Sequence, residues 1–227
     1  MLIALKLKIS QQRARIGCMK KNLRGKKFYQ EDFKEQFGIA YHSHNKVMAP
    51  ELFSWDINCD KEYSINPRLN EKLTEKYGAL ITEGYTAPMY ITWVNKMVEY
   101  GVFAEADIKR GDMIAEYTGI LGYDDANNDN PYVWDYPTIR YVEVPEKKRK
   151  KRIKYCIDAE KSGNYSRFIN HTHRKYQNVG IHIVPANNFW HVVYVAQKDI
   201  YRGQQLLTYY GTQYWRDRQI VPAPLMP

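Results

Sequence analysis

Cysteine is scarce. The 227 residues contain three, Cys18, Cys59 and Cys156, scattered and odd in number. No disulfide framework follows from that pattern, and a reducing, intracellular workplace is expected. Long apolar runs are missing as well. None approaches the roughly 18 residues of a membrane-spanning helix, so no membrane partner is expected. The opening Met1–Leu5 is interrupted by Lys6 and Lys8 before it reaches the length of a secretory leader. Standard zinc spacings are lacking around His42, His44, Cys59, His171 and His173, so no metal is expected. There is no internal repeat, and the only biased stretch is a short basic run.

Acid is absent from one end. Residues 1–27 carry nine Lys/Arg and no Asp or Glu, and residues 147–154 carry seven more basic residues. The net charge is +9, yet outside those two stretches eighteen basic residues face twenty-five acidic ones, a balance of −7. An acidic body with two basic appendages differs from a uniformly basic nucleic-acid binder and suits a basic substrate. The run Lys147–Lys154 reads either as a solvated hairpin tip or as a nucleic-acid contact or nuclear address; the same alternatives hold for the arm. With 44% hydrophobic and 14% aromatic residues, the chain can bury a real core and is not disordered.

The first half reads as mixed structure. Phe28, Phe33 and Phe37 recur at helical spacing, and Leu69–Tyr77 suggests a second helix. From Tyr90 the pattern turns to short strands separated by turns: 90–94, 101–104, 113–117, 140–144, 153–158, 190–196 and 205–210. The second half is mainly β. The expected division is a basic arm at 1–27, a flanking region at 28–89, a motif-bearing domain at 90–215 and a tail at 216–227.

Three segments carry chemical information. They are Glu99-Tyr100-Gly101-Val102-Phe103-Ala104; Arg167-Phe168-Ile169-Asn170-His171 after Tyr155-Cys156-Ile157-Asp158; and Gly203-Gln204-Gln205-Leu206-Leu207 running into Thr208-Tyr209-Tyr210-Gly211. In order and spacing they resemble the SET-domain protein lysine methyltransferases, in a compact form without the zinc-binding cysteines that follow the domain in many members. The resemblance implies a mainly β fold with minor α, built from small antiparallel sheets with a knot-like threaded C-terminal segment. It implies S-adenosylmethionine as cofactor and a lysine-rich, histone or histone-like protein as substrate, with chromatin or a nucleoid as the place of work.

Residue by residue, the resemblance makes Tyr210 the catalytic tyrosine and Tyr132 its channel partner. It puts Gly101, Val102, Phe103, Arg167, Phe168, Asn170, His171 and Trp215 at the cofactor, and Thr208, Tyr209 and Tyr214 along the substrate channel. The chemistry asks for such residues independently. Methyl transfer to lysine needs a neutral amine, although lysine in water has a pKa of about 10.4. Burial beside a positive sulfonium lowers that value, phenols orient the lone pair without adding charge, and ring faces tolerate a methylated ammonium. Glu99 departs from the pattern, because it stands where the family has glycine. That departure favours the rival reading, a non-catalytic module that attaches to nucleic acid or chromatin through its basic clusters.

Overall fold

The computed structural model describes residues 25–124, 130–144 and 149–218. Most of the basic arm, Lys147, Lys148 and the tail beyond 218 lie outside the described residues. Thirteen strands and four α-helices are present among the described residues. The helices are α1 (Phe33–Phe37), α2 (Lys61–Ile65), α3 (Pro67–Thr82) and α4 (Thr212–Arg218). Only α3 is long. Asn66 caps it by accepting from Leu69 N–H at 3.2 Å, Pro67 opens its first turn, and Leu73, Tyr77 and Ile81 at helical spacing form its buried stripe.

That stripe packs on one face of a five-stranded sheet in the order β10 (Asn170–His171), β13 (Leu207–Thr208), β11 (Val179–Ala186), β12 (Phe189–Ala196) and β5 (Met113–Glu116). The hairpin between β11 and β12 turns on Asn187 and Asn188, both at positive φ (50° and 61°), the backbone of a tight two-residue turn. Strand β11 is a finding the sequence pattern did not announce. A four-stranded sheet has the order β2 (Lys46–Val47), β6 (Ile120–Tyr123), β8 (Arg149–Asp158) and β7 (Val133–Val144). Two small pairs, β1 (Ala40–Tyr41) with β9 (Ser162–Gly163) and β3 (Met89–Trp93) with β4 (Tyr100–Ala104), complete the set.

The fold is mainly β, but its sheets are not purely antiparallel. The pairs β1–β9, β2–β6, β10–β13 and β11–β13 run parallel. Within the basic stretch, Arg149–Lys154 forms a regular strand paired with 139–144, and Lys147 and Lys148 lie outside the described residues. The expected strand over 205–210 shortens to Leu207–Thr208.

Residues 28–57 share one hydrophobic core with the strands of the second half. Phe33 alone meets four rings, those of Phe37, Tyr41, Tyr165 and Phe168, at 5.1–6.0 Å between centroids. The buried Asp60 carboxylate joins three segments: it accepts from Trp55 Nε1 at 3.0 Å, Trp190 Nε1 at 2.8 Å and Thr138 Oγ1 at 2.6 Å.

Candidate active site

The turn from Val94 to Glu99 introduces the first motif. Val94 N donates to Glu99 O at 2.7 Å and Glu99 N to Asn95 O at 2.8 Å. Glu99 takes φ 62°, the left-handed region that favours glycine. The glutamate therefore adopts the backbone expected of the missing glycine, at a cost on the order of 1–2 kcal/mol. Gly101 has a different constraint. A Cβ there would stand 2.9 Å from both Asn170 Nδ2 and Val94 Cγ2 and closer still to Gln205 Nε2. The close approach lets Asn170 Nδ2 donate to Tyr100 O at 2.8 Å. An open cavity of about 520 Å³ lies against Trp93, Val94, Asn95 and Lys96 on this same turn.

Asn164 caps the turn that carries the second motif. Its Oδ1 accepts from Ser166 N at 3.0 Å and from Ser166 Oγ at 2.6 Å. Arg167 leaves that turn half-buried, with its guanidinium 3.9 Å from the Tyr132 ring centre and 4.7 Å from that of Phe168. Its Nε donates to Ala159 O at 2.7 Å. Phe168 packs on Phe37 at 4.9 Å. Strand β10 follows immediately and pairs in parallel with β13, Asn170 with Leu207 and His171 with Thr208.

This pairing brings the second and third motifs together. Tyr210 N donates to His171 Nδ1 at 3.2 Å, so the other ring nitrogen carries the proton in the neutral imidazole. Burial, with His173 adding to it, lowers the His171 pKa to about 4. The Tyr210 hydroxyl donates to Ile169 O at 2.7 Å. Around these two residues stand Trp215, 4.8 Å from the His171 ring, and Tyr214, 4.9 Å from that of Tyr210; Tyr209 faces His171 at 5.5 Å. Two buried donors, Trp215 Nε1 and Gln205 Nε2, have no hydrogen-bond partner among the described residues.

Residues absent from the sequence reading complete the cluster. Tyr117 donates its hydroxyl to Tyr132 O at 2.7 Å, and its ring lies 6.2 Å from that of the buried Tyr194. Burial first, then neighbouring phenols, raises the pKa of Tyr117 and Tyr210 well above that of free tyrosine, while Arg167 opposes the shift. Both stay protonated donors at neutral pH. Nothing in the sequence distinguished Tyr117 or Tyr194 among 20 tyrosines.

The structure does not gather every expected side chain here. Val102 is wholly buried in the core, and the Phe103 ring stacks on Tyr90 at 5.7 Å. Any contribution of this pair to the site comes from backbone, where Val102 O accepts from Leu206 N at 2.8 Å. Thr208 is 1% exposed beneath the cluster.

Comparison with known proteins agrees with this geometry. The family model of the SET domain matches residues 99–211, and the chain belongs to the SET-domain family. It is 34% identical over 114 residues to N-lysine methyltransferase KMT5A of Xenopus tropicalis, covering 49% of this chain and 32% of that protein. It is 32% identical over 122 residues to human histone-lysine N-methyltransferase EHMT1, covering 51% of this chain and 8% of the relative. The chain thus spans about a third or less of the length of these two relatives. The solved SET domain of ATXR5, in complex with a histone H3 di-methylated on R26, superposes with a TM-score of 0.58 at 20% identity over 81% of this chain and 85% of that one. That likeness establishes the fold.

Proposed function

We propose that the chain is an S-adenosylmethionine-dependent protein-lysine N-methyltransferase acting on a lysine-rich protein, histones being the first candidates. The observation that carries this reading is the convergence of Tyr210, His171, Trp215 and Tyr214 on one half-buried cluster. Residues 90–215 are read as the catalytic unit and 28–89 as its buttress.

The residues present fit the cofactor. A sulfonium is cationic, and the donor set of neutral imidazole, neutral phenols and ring faces tolerates a cation. The unpartnered donors Trp215 Nε1 and Gln205 Nε2 await acceptors, which an amino-acid or adenine moiety offers. Asn170, His171, Gly101 and Trp215 would hold it. When bound, S-adenosylmethionine supplies an electrophilic methyl group.

The remaining work belongs to the chain. Tyr132, Tyr210 and Tyr214 exclude water from an incoming lysine side chain, and desolvation favours its neutral amine. The Tyr210 phenol, held on Ile169 O, fixes the position of the amine, and positioning supplies most of the acceleration. Two residues before Tyr210, where the family resemblance implies a Phe or Tyr, the smaller Thr208 leaves room for an already methylated amine.

Incubating the chain with isotopically labelled cofactor and core histones tests the proposal. Labelled methyl-lysine in the mass spectrum is expected. Cofactor-dependent thermal stabilisation without methyl transfer to any basic protein would turn the reading to a binding module.

A further inference from the structure

The β7–β8 hairpin outruns its sheet. Strand β6 pairs as far as Tyr155 and its end holds Lys154 O through Asp124 N at 3.0 Å, while β7 and β8 continue for six more pairs, from Ile139↔Lys154 to Val144↔Arg149, the last five without a third strand among the described residues. At the rise of a strand this two-stranded ribbon is about 20 Å long.

Paired residues share a face and alternate residues change it. Lys150, Arg152 and Lys154 therefore stand in a row on one face, opposite Glu143, Tyr141 and Ile139. All three cations are exposed, and Tyr141 beside them is 62% exposed. None of the three makes an ion pair with a described residue; the acids beside them are Glu143, opposite Lys150, and Asp124 at the root, whose N donates to Lys154 O at 3.0 Å. The other face turns to the body, where the Arg140 guanidinium covers the Trp55 ring at 5.0 Å and the Tyr155 hydroxyl donates to Glu51 at 2.7 Å.

We infer that the Lys150–Arg152–Lys154 face grips the phosphate backbone of duplex DNA. Alternate strand residues lie about 6.6–6.8 Å apart, of the order of the separation between successive phosphates along a strand. Cations with no ion pair to a described residue are open to phosphates, whose neutralisation releases the counterions of DNA, and a two-stranded ribbon fits the major groove. The root of the ribbon supplies its purpose. Tyr132 of the proposed channel immediately precedes β7. A lysine-rich substrate would be repelled by this cationic face unless a polyanion already carried it. Only that purpose rests on the proposed methyl transfer; the binding does not.

The test compares the full chain with its K150Q/R152Q/K154Q variant by fluorescence anisotropy on a labelled 20-bp duplex of mixed sequence, without cofactor, between 50 and 200 mM salt. With about one counterion released per contact, the slope of log affinity against log salt should flatten by about 3 in the variant. Affinity at 100 mM salt should fall more than tenfold, equally for unrelated sequences. The melting temperature and methyl transfer to a short peptide should stay the same, since the exposed side chains touch neither core nor site. An unchanged slope and affinity would overturn the inference, placing DNA elsewhere on the chain. Loss of polyglutamate binding with DNA binding retained would overturn it in favour of an acidic protein. A wild-type chain inactive on every peptide yet held to DNA through the ribbon would sink the enzyme reading and leave this one standing.

Discussion

Two aromatic clusters lie on either side of the segment Phe168–His171, and they are built differently. The outer one centres on Phe33, 1% exposed, which meets its neighbours edge-to-face. The inner one, around Tyr210 and His171, carries hydroxyls and an imidazole whose hydrogen bonds end on Ile169 O and Tyr210 N. Phe33, Phe37 and Phe168 at the outer position supply dispersion and burial with no polar atom to satisfy, while Tyr41 and Tyr165 beside them add hydroxyls. Phenols at the inner position need a partner, and backbone carbonyls provide it without adding charge. One cluster holds the motif segment in place, and the other gives it chemistry. Aromatic richness therefore serves two purposes that separate substitutions should tell apart.

The sharpest break is at Tyr210. Removing its hydroxyl in Tyr210→Phe should lower kcat by about 10²–10⁴-fold while cofactor affinity and melting temperature hold. Near-normal turnover in a labelled-methyl assay would remove Tyr210 from the proposed mechanism. On the outer side, Phe33→Ala should cost about 3–5 kcal/mol of stability, measured by denaturant unfolding, while residual activity under folding conditions stays measurable. A smaller effect is expected from Asn170→Ala and His171→Ala, which should weaken S-adenosylmethionine binding about tenfold by calorimetry and leave peptide binding nearly unchanged. Unaltered cofactor affinity in both would contradict the placement of the cofactor.

The pH dependence of stability follows from the same ring. The folded pKa of His171, about 4, lies below that of a free histidine, near 6.5. The unfolded chain then binds the proton first as pH falls. The stability His171 contributes is complete above about pH 6.5 and is lost progressively toward pH 4. His182, lowered by burial and Lys76, acts in the same direction. His171→Gln should flatten the slope of melting temperature against pH in that window without abolishing it. The gentlest change in turnover is Thr208→Tyr, which should shift products from di- and trimethyl-lysine toward monomethyl-lysine, while the larger ring at this buried position costs about 1–3 kcal/mol of stability. Mass spectra with monomethyl-lysine alone from the unmodified chain would refute the roomy pocket.

Much of the motif region was legible because its signals are local. Strands β3, β4 and β12 are dense in β-branched and aromatic residues between turns, and the apolar spacing of Leu69–Tyr77 marks the middle of α3, which runs from Pro67 to Thr82. Strand β11 escaped because Gly180 and Pro185 break its pattern; register with β12 overrides that local weakness. Glu99 read as an obstacle, yet the turn from Val94 imposes the left-handed conformation on it. Tyr117 and Tyr194 could not be singled out, because a phenol's role is set by what surrounds it.

The sequence by itself determined the mainly β character, the order of the three motifs and the concentration of basic charge in two stretches. These follow from composition and spacing along the chain. Tertiary structure alone decided which tyrosines meet. The parallel pairing of Asn170–His171 with Leu207–Thr208 closes some forty residues of chain so that Tyr210 faces His171. It likewise decided that Phe33 buttresses Phe168, that Asp60 ties three segments, and that the basic run lies along a free ribbon. Burial, hydrogen-bond partners and pKa shifts depend on neighbours distant in sequence, and those neighbours are fixed only when the core closes around them.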